Sequence, residues 1–244
     1  MTGSRREQRL GPVLADGVTC VPTTSRDNAF LIEGDDGFTL VDVGWAKAPD
    51  ALECAVAAVG RTLHDIKRLV LTHAHPDHVQ GAAELRRRTG AKVLIHSADA
   101  GWLQAGRVPG EGRAGWPGKV IDRVPLLHWT PVTPDALLAD GEIVENSDGL
   151  RVIHTPGHSP GHIVLLHEPT GVLLVGDAIV HKRAQVGQGP RSLAADPAER
   201  SHSLGRLPAD VSAVGFAHGA PLIGPAVGDY TAWLEANGRR GPVM

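Results

Sequence analysis

The stretch Arg68-Leu-Val-Leu-Thr72 runs directly into His73-Ala-His-Pro-Asp-His78, and these residues decide the fold of the chain. The first part is a short continuous apolar run, which is typical of a strand that is buried on both faces. Alternate side chains of an extended segment point in the same direction, so His73 and His75 can converge on one metal ion. The sequence therefore predicts a metal site at the end of a buried strand.

Two further side chains of the same motif are candidate metal ligands. Pro76 turns the chain after the two histidines, which lets Asp77 and His78 face a second position. The chain has 13 histidines among 244 residues, and this motif concentrates three of them within six positions. Because such clustering is rare by chance, it favours metal binding.

Three more candidate ligands lie at the ends of predicted strands. They occur in Thr155-Pro-Gly-His158, in Gly176-Asp177 and in Ala217-His218-Gly219. Each motif places a histidine or aspartate beside a glycine, whose missing side chain lets the backbone approach closely. A single polar residue at a strand end is usually an ordinary terminus. Four such motifs in one chain indicate a shared function.

Hydrophobic periodicity predicts strands and helices that succeed one another along the whole chain. Each half of the chain needs its sheet covered, so two sheets packed face to face with helices outside is the economical α/β arrangement. Asp196 is the predicted N-cap of one helix, and Ser97 that of another. The predicted strands are 30–33, 38–43, 68–72, 92–96, 142–145, 150–154, 162–166, 172–175 and 211–216, and the predicted helices are 49–59, 79–89, a short one after 97, 197–207 and 227–237.

The segment 105–135 has no clear periodicity, and it contains five glycines, five prolines, Trp116 and Trp129. Long irregular segments in compact domains are commonly lids or binding loops. The two tryptophans favour a lid or substrate loop, and a solvated connector is the alternative. We expect the chain, 1–244, to form a single domain that includes this segment.

Composition excludes several classes of partner. The net charge of −3 shows no basic footprint of the kind that nucleic-acid-binding proteins carry. The apolar runs are strand-sized, which predicts neither a leader peptide nor a membrane segment. Cys20 and Cys54, the two cysteines, suit reduced thiols rather than a disulfide framework. We therefore expect a cytoplasmic protein that acts on a small-molecule substrate, without nucleic acid or membrane partners.

Taken in order, these motifs resemble those of the metallo-β-lactamase superfamily. The similarity extends from Leu40-Val-Asp42-x-Gly44 to His218, which is most of the chain. It implies an αββα four-layer sandwich with the metal site at one edge between the two sheets. Within the superfamily, the chain is similar to single-domain glyoxalase II-like or lactonase-like members.

The resemblance also implies roles for particular residues. Asp77 would be both a metal ligand and the group that accepts and returns the proton in catalysis. Asp42 would orient a ligand, His162 would either do the same or simply face the sheet, and His181 would contact substrate or lie in a solvated loop. The implied ligands are His73, His75 and His158 for one metal ion, Asp77, His78 and His218 for the other, and Asp177 as the bridge between them.

Two functions remain open at this point. A histidine and carboxylate donor set without thiolates suits two zinc ions, although iron or manganese also accepts it. The leading prediction is a dinuclear zinc hydrolase in which a metal-bridging hydroxide cleaves a small ester, thioester, lactone or amide. The alternative is a mononuclear iron oxygenase similar to persulfide dioxygenases, with His73 or His75, His158 and Asp177 on the iron.

Overall fold

The computed structural model describes residues 10–238. Residues 1–9, part of the stretch on which the expectation of no leader peptide depends, lie outside the described residues. Among those described, no helix is both long and apolar enough to cross a membrane. Cys20 and Cys54 are free thiols, as predicted.

The structure contains most of the predicted strands and helices in the predicted order, together with further short elements that the periodicity did not indicate. The strands are β1 Val13–Ala15, β2 Val18–Pro22, β3 Asn28–Gly34, β4 Gly37–Val41, β5 Ile66–Leu71, β6 Lys92–His96, β7 Ala136–Leu138, β8 Leu150–His154, β9 Ile163–His167, β10 Val172–Leu174, β11 Val180–Lys182, β12 Gln185–Gly187, β13 Ala213–Gly215 and β14 Leu222–Ile223. The α-helices are α1 Ala48–Ala58, α2 Pro76–Val79, α3 Ala82–Thr89, α4 Ser97–Ala105, α5 Trp116–Ile121, α6 Pro197–Ser203 and α7 Val227–Asn237.

Two sheets form the centre of the fold. The first has seven strands in sequence order, β1 to β7, antiparallel up to β4 and parallel from β4 onwards. The second has the order β14-β13-β10-β9-β8, in which only β10 and β13 pair in parallel. Strands β11 and β12 form a separate hairpin.

The side chains of β3 show how the layers are built. Phe30 and Ile32 pack between the two sheets, whereas Ala29 and Leu31 pack in the core that the first sheet shares with helices α1, α3 and α4. This alternation follows from the two-residue period of a strand. A third core joins the second sheet to α7. The four layers are therefore helix, sheet, sheet and helix, and the predicted αββα sandwich is confirmed.

The carboxyl ends of several strands meet at one edge of the sandwich. Two hydrogen bonds tie the sheets together there, because the Ile163 amide donates to the Thr72 carbonyl over 2.9 Å and the Asn28 amide donates to the Ala217 carbonyl over 2.9 Å. Side chains that follow β4 and β5 in one sheet and β8, β10 and β13 in the other are thus brought together.

Several predicted elements differ from the structure. Residues 142–145 form no strand, only an isolated bridge between Ile143 and Arg151. The predicted helix 79–89 begins at 82, after a separate short helix over 76–79, and 197–207 ends as an α-helix at 203. Ser97 is the first residue of α4 rather than its cap, because the His96 side chain accepts the Ala98 amide. The Asp196 cap is confirmed, with its carboxylate accepting two amides.

Candidate metal centre

Each predicted ligand lies just beyond a strand end, at the common edge of the two sheets. His73 follows β5, and His75 immediately precedes helix α2, which carries Asp77 and His78. Pro76 occupies the first turn of α2, where its missing N–H costs no hydrogen bond. The remaining ligands come from the other sheet: His158 after β8, Asp177 after β10 and His218 after β13.

The structure brings the ligand atoms of these seven residues into three overlapping groups. Within each group the three ligand atoms lie within 4.8 Å of one another. The groups are His73 with His75 and His158, His73 with His78 and Asp177, and Asp77 with His78 and His218.

Several buried polar atoms at this edge have no hydrogen-bond partner among the described residues. They are Nε2 of His73, His75 and His78, Nδ1 of His158 and Oδ1 of Asp177. Leaving a buried donor or acceptor unpaired normally costs about 1–3 kcal/mol. These unpaired atoms, together with the three converging groups, therefore fit a site whose residues hold metal ions.

The other nitrogens of two histidines contact neighbouring side chains. Nδ1 of His73 lies 3.0 Å from the Thr72 hydroxyl, and Nδ1 of His78 lies 2.8 Å from Oδ2 of Asp42. Asp42 also accepts the Thr72 amide over 2.8 Å, although its own φ is +57°. These contacts orient both rings and leave each Nε2 directed at the site. Supporting contacts of this kind are nearly universal for metal-bound histidines.

Burial keeps three of the imidazoles neutral. It lowers the pKa of His73, His75 and His158 well below the usual value, and the charge of Asp177 opposes this only in part for His75 and His158. Nδ1 of His75 lies 2.8 Å from Nε2 of His158, so these two nitrogens converge on one point. A neutral imidazole has the free lone pair that a metal ligand requires.

Opposite charges balance on the other side of the site. Burial alone would raise the pKa of Asp177, but His218 and His158 outweigh it and hold that pKa well below the usual value. Burial would likewise lower the pKa of His218, but Asp177 and neighbouring carboxylates raise it. Asp177 has Oδ2 3.4 Å from His158 and Oδ1 3.2 Å from His218. Its carboxylate therefore lies between the two predicted ligand sets.

Asp27 is a functional candidate that the sequence did not single out. Its Oδ1 lies 2.9 Å from Nδ1 of His218, and its Oδ2 accepts the Trp45 indole N–H over 3.0 Å. Asp27 thus orients His218 as Asp42 orients His78. It comes from a turn before β3, far from any histidine in sequence, so no local signal identifies it.

His162 contacts the backbone of the proposed bridging residue. The Asp177 amide donates to Nε2 of His162 over 2.9 Å, and Nδ1 lies 2.8 Å from the Thr155 hydroxyl. Burial lowers the pKa of His162 to about 3, so the ring is neutral. With Nε2 accepting, the proton is on Nδ1, and the ring holds the loop of Asp177 in place.

Asp99, on α4, is a second residue that sequence reasoning missed. Its carboxylate accepts the Ala74 amide over 2.9 Å, the Ser159 hydroxyl over 2.6 Å and the Gly161 amide over 2.6 Å. Burial raises the pKa of Asp99, and these hydrogen bonds oppose that rise. One buried side chain therefore joins the loop of His73 and His75 to the loop of His158.

A cavity of about 690 Å³ opens over the candidate ligands. Asp77, His158, Asp177 and His218 form part of its lining, and Trp45 stands at its wall. Four basic side chains also line it, namely Arg26, Lys182, Arg183 and Arg200.

His181 does not appear in the cavity lining among the described residues. Its ring contacts Phe216 at 5.4 Å between centroids, and Nδ1 lies 2.7 Å from the Ala220 carbonyl oxygen. Its neighbours Lys182 and Arg183 reach the cavity instead. Adjacent residues of β11 point to opposite faces, which separates His181 from Lys182.

The two tryptophans of segment 105–135 do not lie at the cavity. Trp129 is buried in the core beside α4, with its indole N–H donating to the Leu103 carbonyl over 3.1 Å, and Trp116 is 77% exposed. Arg113 of the same segment pairs with Asp122 and donates to the Leu193 carbonyl over 2.8 Å. Segment 105–135 therefore contacts Leu193, which is part of the cavity wall.

Comparisons with known proteins agree with this fold and site. The sequence profile of the metallo-beta-lactamase superfamily matches residues 23–216. A solved structure of the metallo-beta-lactamase family protein TTHA1429 from Thermus thermophilus superposes with a TM-score of 0.68 at 28% identity, covering 92% of this chain and 81% of that one.

Two curated relatives carry names that describe hydrolases. The probable metallo-hydrolase YybB of Bacillus subtilis is 27% identical over 68% of this chain and 68% of its own length. A hydroxyacylglutathione hydrolase of Cereibacter sphaeroides is 33% identical over 66% of this chain and 51% of its own length. The chain thus spans about half the length of that relative.

The two-sheet sandwich and its edge cluster of histidines and aspartates define a metal-dependent hydrolase. The chain belongs to the metallo-beta-lactamase superfamily, as the motifs from His73 to His218 predicted.

Proposed function

We propose that the protein is a dinuclear zinc hydrolase that cleaves a small ester, thioester, lactone or amide. The observation that carries the proposal is the cluster of unpaired, buried nitrogen and oxygen atoms at the edge of the sandwich. The donor set consists of imidazoles and carboxylates without thiolate, which suits zinc in a catalytic site. His73, His75 and His158 would hold one ion, Asp77, His78 and His218 the other, and Asp177 would contact both.

When held by these residues, two zinc ions would activate a water near neutral pH and polarise the carbonyl oxygen of the substrate. The protein contributes the means to move a proton. Asp77 is the least buried of the four carboxylates at the site, which are Asp27, Asp42, Asp77 and Asp177. Its side chain is 26% exposed and lines the cavity. Its Oδ2 lies 3.3 Å from His218. Asp77 can therefore take a proton at Oδ2 from the attacking water and return it to the leaving group.

The cavity favours a small substrate, since its volume of about 690 Å³ is within the usual range for small-molecule sites. Trp45 offers an apolar wall, and the basic side chains of the lining offer contacts to polar groups. The name of the hydroxyacylglutathione hydrolase relative supports a thioester among the candidate substrates. We also propose that segment 105–135 affects substrate binding, because Arg113 of this segment holds Leu193 of the cavity wall.

Metal content measured by plasma mass spectrometry on the purified full chain tests the proposal first. About two zinc ions per chain, with hydrolysis of an aryl ester or thioester that a chelator abolishes, would support it. A single iron per chain, with oxygen consumption on a persulfide, would overturn it in favour of the oxygenase.

Variants of the ligands sharpen this test. His75→Ala and Asp177→Ala should each abolish hydrolysis and lower the zinc content while the protein stays folded. His64→Ala is a matched control, because it removes an exposed imidazole near the start of β5, far along the strand from His73. Full activity in either ligand variant would contradict the metal assignment.

A further inference from the structure

Arg200 is an almost fully buried arginine without a carboxylate partner. It is 2% exposed, and among residues 10–238 no carboxylate oxygen lies within 4.0 Å of its guanidinium. The guanidinium has five N–H donors. Within the described part of the chain it uses only Nη2, which donates to the Gly189 carbonyl over 2.6 Å, and its buried Nε has no partner.

The backbone of Arg200 is held firmly beside the loop that carries His158. The Asp196 amide donates to the Gly157 carbonyl over 2.8 Å, and the Arg200 amide donates to the Asp196 carbonyl over 3.0 Å. Gly157 has a φ of +118°, and a Cβ there would lie 2.0 Å from the Arg200 amide nitrogen. Only glycine allows this close approach, so the start of the Arg200 side chain is placed by the fold and not by solvent.

The Arg200 side chain is part of the cavity over the candidate metal ligands. It shares the lining with His158 and Asp177, and its Nη1 lies near Gly189, another residue of that lining. Burial lowers the pKa of Arg200, while the charge of Asp177 opposes that effect and the charge of Arg191 adds to it. Metal ions held at this site would engage the charge of Asp177, which would leave Arg200 without a compensating charge.

Buried charges in proteins are nearly always paired, because an isolated one is costly to desolvate. A planar guanidinium with free donors is the group that best matches a carboxylate or phosphate. We infer that Arg200 recognises an anionic oxygen group of the substrate, a carboxylate or a phosphate, next to the reacting carbonyl. The inference rests on the proposed hydrolase function and narrows its substrates to anionic acyl compounds.

Pairs of esters that differ only in charge test this inference. One pair is 4-nitrophenyl hydrogen adipate and its methyl ester, with the carboxylate on the acyl side; the other is 4-acetoxybenzoate and its methyl ester, with the carboxylate on the leaving group. Arg200→Gln should lower kcat/KM on the anionic member of at least one pair by about 10- to 100-fold, the effect of losing a charge-assisted hydrogen bond. Its activity on the neutral members should stay within about threefold of the wild type, in line with the small effects usual where no contact is lost. An equal loss on all four esters, or no loss on any, would overturn the inference.

A binding measurement separates this inference from the hydrolase proposal. Calorimetric titration of zinc-loaded protein with adipate and with inorganic phosphate should show weaker binding in Arg200→Gln for at least one anion, and that anion identifies the group recognised. Equal affinities in the wild type and the variant would refute the anion site. An Arg200-dependent affinity without any ester hydrolysis would refute the hydrolase and retain the site.

Two further variants complete the design. Arg200→Lys keeps the buried cation but loses the planar fork, so it should lose selectivity in the same direction, and it replaces Arg200→Gln as the decisive variant if the latter does not fold. Arg61→Gln is the matched control, because Arg61 is half-exposed, pairs with Glu33 and is not part of the cavity lining. It should leave both selectivity and anion affinity unchanged.

Discussion

Asp99 connects the two loops that carry most of the candidate ligands of the first metal ion, so its removal should affect both folding and metal affinity. In Asp99→Ala, the amides of Ala74 and Gly161 and the hydroxyl of Ser159 lose their acceptor. All three groups are buried. The hydroxyl can rotate to another acceptor, but the two amides cannot.

The magnitude follows from those two amides. Each buried N–H left without a partner costs about 1–3 kcal/mol, so Asp99→Ala should lower the free energy of unfolding by about 2–6 kcal/mol. Ser159→Ala removes one donor and leaves no buried group without a partner. It should therefore cost only about 1 kcal/mol. Because supporting contacts tune metal sites, Asp99→Ala should also weaken zinc binding by about tenfold or more.

Urea unfolding at a fixed free zinc concentration, followed by tryptophan fluorescence, measures the first effect. Competition with a chromophoric chelator measures the second. A loss of stability below about 0.5 kcal/mol, the usual range for a surface substitution, would refute the reasoning. A loss of stability of about 2–6 kcal/mol combined with an unchanged zinc affinity would also refute it, because the metal-binding loops would then not depend on Asp99.

Three other predictions follow from single contacts. Asp27→Ala removes the carboxylate that orients His218, so zinc content should fall from about two ions per chain towards one; retention of both ions at limiting free zinc would contradict this role. Burial raises the pKa of Cys20 to about 12, so its thiol stays protonated and unreactive at pH 8, whereas exposed Cys54 reacts. A disulfide reagent should therefore label one thiol per native chain, with labelling of Cys20 requiring denaturant, and two fast thiols would refute this. Arg113→Ala removes the contact to the Leu193 carbonyl, so it should change KM or kcat/KM without loss of zinc if segment 105–135 acts on substrate binding; an unchanged substrate profile would make the segment a connector.

Elements with clear local signals could be predicted from the sequence, and several short elements could not. Strand β6 matches its predicted range because its centre is a continuous apolar run, and helix α7 does because Gly238 marks its end. Strands β1, β7, β11 and β12 have three residues each, too few to show a period. Their conformation depends on pairing with another strand. Strand β7 pairs with β6, which is distant in sequence, whereas β1 pairs with the following strand β2, and β11 and β12 pair with each other in a hairpin.

The histidine motif could be recognised because its members are adjacent in sequence. His73 and His75 follow the end of β5, and His78 lies in the short helix α2 that begins directly after them. Local backbone geometry is therefore enough to bring the three side chains together. Trp129 illustrates the opposite case. The irregular sequence around it suggested a loop over the site, but its large apolar ring packs in the core against α4, since burial of such surface is strongly favourable.

The sequence by itself determined the four-layer fold and the ligand types, because periodicity and clustered histidines are local properties of the chain. Only the tertiary structure showed that Asp27 and Asp99 contact the candidate ligands or their loops, and that the charge of Arg200 is left unpaired. Asp27, Asp99 and Arg200 are ordinary polar residues in sequence. They become significant because folding removes the water around them. The packing of the two sheets brings partners within hydrogen-bond distance of Asp27 and Asp99, whereas the Nε of Arg200 is left without one.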